Sequence, residues 1–319
     1  MKQYILRRII YTIPVFIVLS ATLFGLMRGL PGNPALLMSA AGEDALASPE
    51  IYEFKLKELG LDKPLFIQYG EWVWGIITRF DFGTSYWSKE PVTKELLARF
   101  PVTVELAVLT YFFSLLIGIP GGIISAIRHN TAPDYIVRLT SITFLALPNF
   151  WLGTLVIVLP AIWFGYFPPL GFRPLFEDPL QNLRQFIFPC IALGAHFSAR
   201  TLRVTRSQML EVLRQYYVRT AWAKGLSERL VIVRHALKNA LIPVITVSGL
   251  TFAALLGGTA IIEVVFGLPG VGLLTLYSIN QRDYPQVQAN MLWVGMIFVV
   301  VNLIVDLTYG WLDPRIRYK

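Results

Sequence analysis

Three histidines and one cysteine are the side chains best suited to metal or nucleophilic chemistry. His129, His196 and His235 are too few and too scattered for a metal cluster. Cys190 lies in an apolar segment without a second cysteine, which predicts a small buried residue. His196 lies in a short apolar segment, where an ionisable group is costly and often marks a transport path. Two interpretations of His196 stay open: a residue of the translocation path, or a hydrogen-bonded contact between helices.

Carboxylates within the apolar segments are the next candidates. Glu105, Glu263 and Asp306 lie in or at the edges of such segments. A charge at the bilayer centre costs about 2.5–3.5 kcal/mol, so each is expected near an interface or against a partner helix. They form no paired-carboxylate catalytic motif at fixed spacing, so the sequence predicts no catalytic residue among them.

Glycine-rich sequence offers no nucleotide site. The chain has no GxxxxGK[ST] motif, so it does not bind ATP through a P-loop. The run GLPGVG at 267–272 lacks the lysine and the strand-to-helix setting. We expect a turn there, between a span and a re-entrant or surface helix.

One basic segment, residues 216–243, lies between two strongly apolar runs. Its pattern predicts a helix over 216–224, a glycine elbow at Gly225, and a second short helix capped by Ser227. Pro243 is expected to mark the turn into the next span. Ala221 and Ala223 flank Trp222, a small–large–small surface suited to a groove.

The approach to this segment is also basic. Arg200, Arg203 and Arg206 are spaced by three and share one helix face, followed by an apolar side at Met209–Leu213. A plainer interpretation is a cationic loop that binds lipid phosphates. That interpretation explains the charge, but it does not explain the capping signals or the small residues.

The elements that position this segment are membrane spans. Of 319 residues, 55% are apolar and 15% charged, and the mean hydropathy is +0.57. Six segments are apolar enough to be predicted as spans. They lie at about 9–30, 103–127, 138–165, 184–200, 241–262 and 290–311. The fourth is the weakest, because its apolar part is short and contains Pro189 and Gly194. Gly118 and Gly122 predict a close helix crossing.

Lysine and arginine placement gives the orientation. With both termini cytoplasmic, the inner segments carry 17 of these residues and the two short outer loops carry 3. The net charge of +8 therefore belongs to the inner membrane face, not to a nucleic-acid site. We divide the chain into a tail and first helix (1–30), an extracytoplasmic, mostly helical lobe (31–100), a five-helix domain (101–312) with a loop at 204–240, and a cytoplasmic tail (313–319).

Several segments carry a family resemblance. YVRTAWAKG at 217–225, LPNFWLG at 147–153 and NQRDYPQVQ at 280–288 resemble the first, B-type permease subunit of dipeptide, oligopeptide and nickel ABC importers. Matches of this kind run through nearly the whole chain. Trp222 stands where the group often has arginine, and Lys238 stands where the general loop has proline.

The resemblance implies an all-α membrane protein with six transmembrane helices and the type I importer permease fold. Its partners would be a second, C-type permease, two cytosolic ATPases that bind ATP and Mg, an extracytoplasmic binding protein and the lipid bilayer. This chain itself would hold no cofactor and no metal, and it would not be an enzyme, because the partner subunits would hydrolyse ATP. The implied ATPase-coupling residues are Tyr217, Arg219, Thr220, Ala221, Trp222, Ala223, Lys224, Gly225, Leu226 and Ser227. Within that set, Ala221, Ala223 and Gly225 would fit closely, whereas Arg219 and Lys224 would form surface ion pairs.

The implied function is ATP-driven import of di- or oligopeptides across a bacterial or archaeal cytoplasmic membrane. Nickel, glutathione or another small solute are alternatives with the same architecture. Two alternatives come from other classes: a non-conducting membrane anchor or receptor subunit, and an ion-gradient-driven transporter. The latter is disfavoured by the lack of inverted repeats and paired intramembrane carboxylates.

Overall fold

The computed structural model describes residues 2–29, 49–58, 60–169 and 172–312, and these residues form helices joined by turns. The helices are α1 (Lys2–Gly29), α2 (Pro49–Glu58), α3 (Leu65–Arg79), α4 (Val92–Ile127), α5 (Ala132–Ala146), α6 (Asn149–Phe164), α7 (Pro179–Leu213), α8 (Tyr216–Ala223), α9 (Glu228–Leu230), a π-helix π1 (Val231–Leu237), α10 (Lys238–Gly258), α11 (Ala260–Phe266), α12 (Val271–Asn280) and α13 (Tyr284–Leu312). The described residues contain no strand, only an isolated bridge between Thr84 and Pro91. The all-α prediction is confirmed.

Four helical stretches are long and apolar enough to cross a membrane, and two bent pairs raise the number to six if each pair is one span. The four are Ile10–Gly29, Val92–Ile127, Glu228–Gly257 and Tyr284–Val305. The pairs are α5 with α6, which are bent by 105°, and α11 with α12. Of the expected turn at 267–272, residues 267–270 lie between α11 and α12, and residues 271 and 272 begin α12.

The predicted fourth span, 184–200, is not among the described helices that are long and apolar enough to cross a membrane. It forms the middle of α7, which does not qualify as a span by composition. The helix carries Arg184, Arg200, Arg203 and Arg206, which lowers its hydropathy. Its apolar side is buried in the protein, because α7 packs against α5, α6 and α10. A helix covered by its neighbours does not need a lipid-facing composition.

The chain divides into two compact units, and α7 is the centre of the first, which contains residues 102–272 and 300–312. Asp178 caps the start of α7 by accepting a hydrogen bond from the Gln181 N–H at 3.1 Å, and Pro179 follows at the first turn. A Cβ at Gly118 or Gly122 of α4 would lie 2.7 or 2.5 Å from the Cβ of Thr201 or Thr205 of α7. The predicted close crossing is confirmed.

The second unit contains residues 2–101 and 273–299. Its core is formed by Leu23 of α1, Phe82, Val92, and Ala289 and Leu292 of α13. The helix α4 begins at Val92, nine residues before the predicted boundary at 101. Of the predicted lobe, residues 31–48 lie outside the described part of the chain, as does the predicted tail at 313–319.

The α4–α7 crossing yields a stability prediction. Gly122→Val should destabilise the protein by about 1–3 kcal/mol, because the added methyl groups would overlap Thr205 and the Leu202 carbonyl. The measurement is thermal unfolding of the purified protein in detergent. Gly25→Val is the matched control, since Gly25 is also helical but has no atom within 4 Å of its built Cβ. Equal unfolding temperatures for the two variants would contradict the crossing.

Candidate functional site

The elbow after α8 has the geometry that the sequence predicts. The helix ends at Ala223, and Gly225 has a φ of +74°, in the left-handed region that glycine adopts without strain. The Leu226 N–H reaches back to the Ala221 carbonyl at 3.4 Å, and the Gly225 N–H donates to the Trp222 carbonyl at 2.9 Å. The turn is therefore closed by backbone hydrogen bonds, and its shape depends on Gly225.

The second helix starts where predicted but does not stay short. Ser227 stands at the N-cap position with extended backbone, yet its side chain makes no capping hydrogen bond in the described structure. Helical structure continues through α9, π1 and α10 as far as Gly258. The expected turn at Pro243 is wrong, because Pro243 lies inside α10. Proline fits helical φ and removes a single hydrogen bond to the preceding turn, a loss that long membrane helices tolerate.

Burial separates the predicted coupling residues into two groups. Val218, Ala221 and Val231 form a buried cluster, against which Leu226 also packs. Ala221 is 5% exposed, so its expected place on a docking surface is wrong. The helical pattern explains this, because Val218 and Ala221 are three positions apart and share the inward face of α8. The exposed members of the set are Tyr217, Arg219, Thr220, Trp222, Ala223, Lys224, Gly225 and Ser227.

A hydrogen bond that the sequence did not reveal ties α8 to α10. The Asn239 amide nitrogen donates to the Tyr217 hydroxyl at 2.7 Å. Arg219 lies over the ring of Tyr216, with its guanidinium carbon 5.8 Å from the ring centroid. These contacts hold the outer side of α8, while the Val218 cluster holds its inner side.

The support beneath α8 is a second apolar cluster. Met209 of α7, Ala126 of α4, and Ala236 and Ala240 are buried together. Leu210, Val212 and Leu213 pack against them, which agrees with the predicted apolar side at 209–213. Val212 and Leu213 also contact the Val218 cluster. The two clusters therefore form one continuous packed layer under the exposed turn.

A buried ion pair fixes this layer to α5. Arg206 donates two hydrogen bonds to the Asp134 carboxylate, from Nε at 2.8 Å and from a terminal nitrogen at 2.9 Å. Asp134 is fully buried and also accepts from the Ser125 hydroxyl and from the Asn130 N–H. One carboxylate therefore joins the end of α4, the following turn, the start of α5, and α7. The sequence placed Arg206 correctly on a basic face but gave no signal of its partner.

His196 contacts a neighbouring helix. Its Nδ1 lies 3.2 Å from the Phe144 carbonyl of α5. A carbonyl only accepts, so Nδ1 must carry the proton of this bond. This geometry fits the interpretation of His196 as a hydrogen-bonded contact between helices, and its role in the translocation path stays a prediction.

Glu263 faces a partner helix, as expected. It is fully buried and accepts hydrogen bonds at 2.8 Å from the hydroxyls of Thr103 in α4 and Thr259. Thr103 in turn accepts from the Val271 N–H at 2.9 Å. Glu263 therefore helps to hold the glycine-rich turn. The side chain of Asp306 lies outside the described part.

This arrangement is an exposed helix–turn element mounted on a helical bundle with several candidate spans. The chain belongs to the family described as the binding-protein-dependent transport system inner membrane component, which it matches over residues 118–318. Residues 1–107 match the N-terminal region of the same kind of membrane component. The chain is therefore an integral inner-membrane permease of an ABC importer.

Relatives match over the full chain. A transport system permease protein of Brucella abortus strain 2308 is 41% identical over 318 residues, covering 100% of both chains. The dipeptide transport system permease protein DppB of Escherichia coli K12 is 38% identical, again covering 100% of both. The glutathione transport system permease protein GsiC of Salmonella choleraesuis is 36% identical with the same coverage.

Solved structures support the fold. An amino acid ABC transporter with histidines has a TM-score of 0.55 at 14% identity, covering 68% of this chain and 93% of its own. The inward-facing MetNI methionine ABC transporter has a TM-score of 0.55 at 18% identity, covering 68% and 96%. The predicted type I importer permease fold is confirmed.

The buried ion pair yields a second prediction. Asp134→Asn should destabilise the protein by about 3–5 kcal/mol, because it leaves the Arg206 guanidinium without its counter-charge in a mostly buried place. Thermal unfolding in detergent measures this loss. The double variant Asp134→Asn/Arg206→Leu should recover part of it, since no uncompensated charge remains.

The control for this prediction is Arg203→Leu, which removes an exposed arginine from the same helix. It should leave the unfolding temperature close to that of the unmodified protein. If Arg203→Leu lowered the unfolding temperature as much as Asp134→Asn, the loss of stability would come from any change of charge near α7 and not from the Asp134–Arg206 pair.

Proposed function

We propose that this chain is a pathway-forming subunit of a peptide importer, and that its α8 turn receives motion from cytosolic ATPases. The proposed partners are a second, C-type permease, two ATPases that bind ATP and Mg, and an extracytoplasmic binding protein. Both termini face the cytoplasm in this proposal, which follows from the 17-to-3 distribution of lysine and arginine. The same proposal divides the chain into a tail with the first helix (1–30), an extracytoplasmic lobe (31–100), a five-helix domain (101–312) and a cytoplasmic tail (313–319).

The observation that carries the coupling role is the contrast between the two faces of α8. Val218 and Ala221 on its inner face pack into the buried Val218 cluster. The exposed residues are Trp222 and Ala223 at its end and Lys224 and Gly225 in the turn that follows. An exposed tryptophan beside small residues suits insertion into a groove, because a large apolar ring carries much of the contact energy at interfaces. Arg219 and Lys224 would add surface ion pairs, which contribute little energy but favour orientation.

The proposed mechanism follows from the way α8 packs against the apolar layer beneath it. When ATP draws the two ATPases together, their grooves move and carry the α8 turns with them. The packed layer and the Arg206–Asp134 pair would pass that displacement to α7, α5 and the end of α4. A loaded binding protein would bias the same two-state element from the other side of the membrane, as coupling between sites requires.

Peptide is the substrate class that the relatives favour, since DppB is a dipeptide permease by name. Glutathione is a second candidate, because GsiC is a glutathione permease by name and is nearly as similar. The deciding experiment reconstitutes the chain with its second permease, ATPases and binding protein in proteoliposomes. ATP-dependent dipeptide uptake that persists when ion gradients are collapsed supports the proposal. Glutathione uptake alone would favour the second candidate, and no uptake would favour a non-conducting anchor.

The coupling role yields a third prediction. Gly225→Val and Ala223→Glu should each abolish ATP-driven uptake and leave membrane insertion intact. The valine would be strained by about 1–3 kcal/mol at a φ of +74°, so the turn would change shape. The glutamate would place a bulky charge on the docking surface. The measurements are uptake in proteoliposomes and copurification of the ATPases.

Gly165→Val is the matched control. Gly165 ends α6 with a φ of +63° and open space around it, so the backbone strain is similar but lies away from the α8 turn. Uptake should survive this change. Normal uptake in Gly225→Val and Ala223→Glu would remove the basis for the coupling role.

A further inference from the structure

A second candidate site lies in the unit of residues 2–101 and 273–299, away from the α8 turn in sequence. A cavity of about 480 Å³ is lined by the end of α1, by α3, by the loop at 82–89 and by the start of α13. This volume falls in the range of small-molecule sites, which is about 300–1,000 Å³. Tyr284, Pro285 and Gln288 line it, and all three belong to the NQRDYPQVQ segment. The coupling role does not use that segment.

The cavity wall contains nitrogen donors that lack acceptors. The Arg28 Nε and the Gln288 amide nitrogen are both buried without a hydrogen-bond partner in the described part of the chain. Gln288 is only 7% exposed. A buried donor without an acceptor costs about 1–3 kcal/mol, and few such groups persist in proteins without a role. Both residues line the same cavity, so a ligand with anionic oxygens would satisfy both.

The cavity also has a hydrogen-bond acceptor without a donor within the described structure. Gln68 lines the cavity, and its amide nitrogen donates to the Leu61 and Lys63 carbonyls, which fixes its orientation. Its amide oxygen is buried and has no partner among the described residues. The Glu71 carboxylate also lines the cavity, but both of its oxygens already accept hydrogen bonds from the Lys63 ammonium group, at 2.7 and 2.8 Å. A ligand ammonium group therefore has one acceptor in the same cavity, the Gln68 amide oxygen.

Aromatic rings also line the cavity. Phe24 of α1 and Trp72 of α3 both line the cavity, with ring centroids 6.0 Å apart. The Arg28 guanidinium carbon lies 5.3 Å from the Phe24 ring centroid, which holds the cation beside an apolar surface. Apolar rings in the same cavity as the donors and the acceptor suit a short peptide, whose side chains would contact the rings.

The loop at 82–89, which lines the cavity, is held in place. Asp283 accepts from the Ser85 hydroxyl, from the Tyr86 N–H at 3.1 Å and, at the start of α13, from the Gln286 N–H at 3.4 Å. Asp283 is 2% exposed, so these bonds are protected from water. The cavity is therefore preformed, which lowers the ordering cost of binding.

We propose that this cavity binds the free carboxylate of a short zwitterionic peptide through Arg28 and Gln288, with the ammonium group towards the Gln68 amide oxygen. The inference rests on the proposed peptide import and on the proposed orientation, which puts the end of α1 at the outer face. The cavity would receive peptide released at that face before it enters the pathway. This role belongs to the permease and needs no contact with the α8 turn.

The test measures binding of radiolabelled dialanine to the purified permease–ATPase complex in phosphatidylcholine nanodiscs, without binding protein or nucleotide. The unmodified complex should bind dialanine saturably. Arg28→Gln and Gln288→Leu should each weaken binding at least tenfold, and C-terminally amidated dialanine should bind the unmodified complex as weakly. Thermal unfolding of each variant establishes that it is folded, and two independent variants keep the test decisive if one fails to fold.

Arg79→Gln is the matched control, because Arg79 is an exposed arginine of α3 that does not line the cavity. It should bind dialanine like the unmodified complex. Equal binding of the amidated peptide, or unchanged binding in both cavity variants, would overturn the proposal. Competition by inorganic phosphate or by phosphatidylglycerol at equal strength to dialanine would also overturn it, because the site would then be a general anion or lipid site.

Uptake separates this inference from the proposed function. In proteoliposomes, Arg28→Gln should raise the KM for ATP-driven dipeptide uptake and leave kcat near its normal value. Uptake with an unchanged KM would refute the cavity role but leave peptide import standing. No dipeptide uptake by the unmodified complex would refute both.

Discussion

A fully buried carboxylate, Asp134, holds together the part of this permease that lies beneath its exposed turn. Arg206 binds it with two hydrogen bonds, and Ser125 and Asn130 supply two more. Removing such a charge from water is costly, and only complete hydrogen bonding makes it tolerable. Because the partners come from the end of α4, the next turn and α7, these parts cannot separate without exposing an unpaired charge. The α8 turn is built on that fixed base.

The same device recurs elsewhere in the chain. Glu263 is buried and joined by Thr103 and Thr259, and it helps to hold the glycine-rich turn before α12. Asp283 is buried and joins the loop at Ser85 to the start of α13. In each case one buried carboxylate fixes a turn or the start of a helix by accepting hydrogen bonds. The donors to Glu263 are hydroxyl groups, and those to Asp283 are a hydroxyl group and two backbone N–H groups. Apolar packing in a membrane protein gains little from excluding lipid, so directional polar contacts are well suited to fixing turns.

Local chemistry made much of the site predictable from the sequence. Gly225 at a helix end and Ser227 before Glu228 each indicate a helix boundary within a few positions, and the structure has both boundaries, although the Ser227 side chain makes no capping hydrogen bond with the described residues. The small residues Gly118 and Gly122 indicate a close helix crossing, and the structure has it with α7. The features that the sequence did not reveal depend on distant partners. Asp134 and Arg206 are 72 positions apart, and no residue near either of them in the sequence indicates that the two form a pair. Ala221 is buried because Val231 returns against it, and α7 is poor in apolar residues because its neighbours cover it.

The central claim is that the α8 turn and the α4–α5 turn move as one body during the ATP cycle. Spin labels at Tyr216→Cys and His129→Cys, in a Cys190→Ala background, report the distance between them by double electron–electron resonance. Both positions are exposed, whereas Cys190 is buried. In the reconstituted transporter, the distance distribution should be the same in the nucleotide-free and ATP-bound states. A shift or broadening on ATP binding would show that α8 moves independently of the Asp134 base, and would contradict the account.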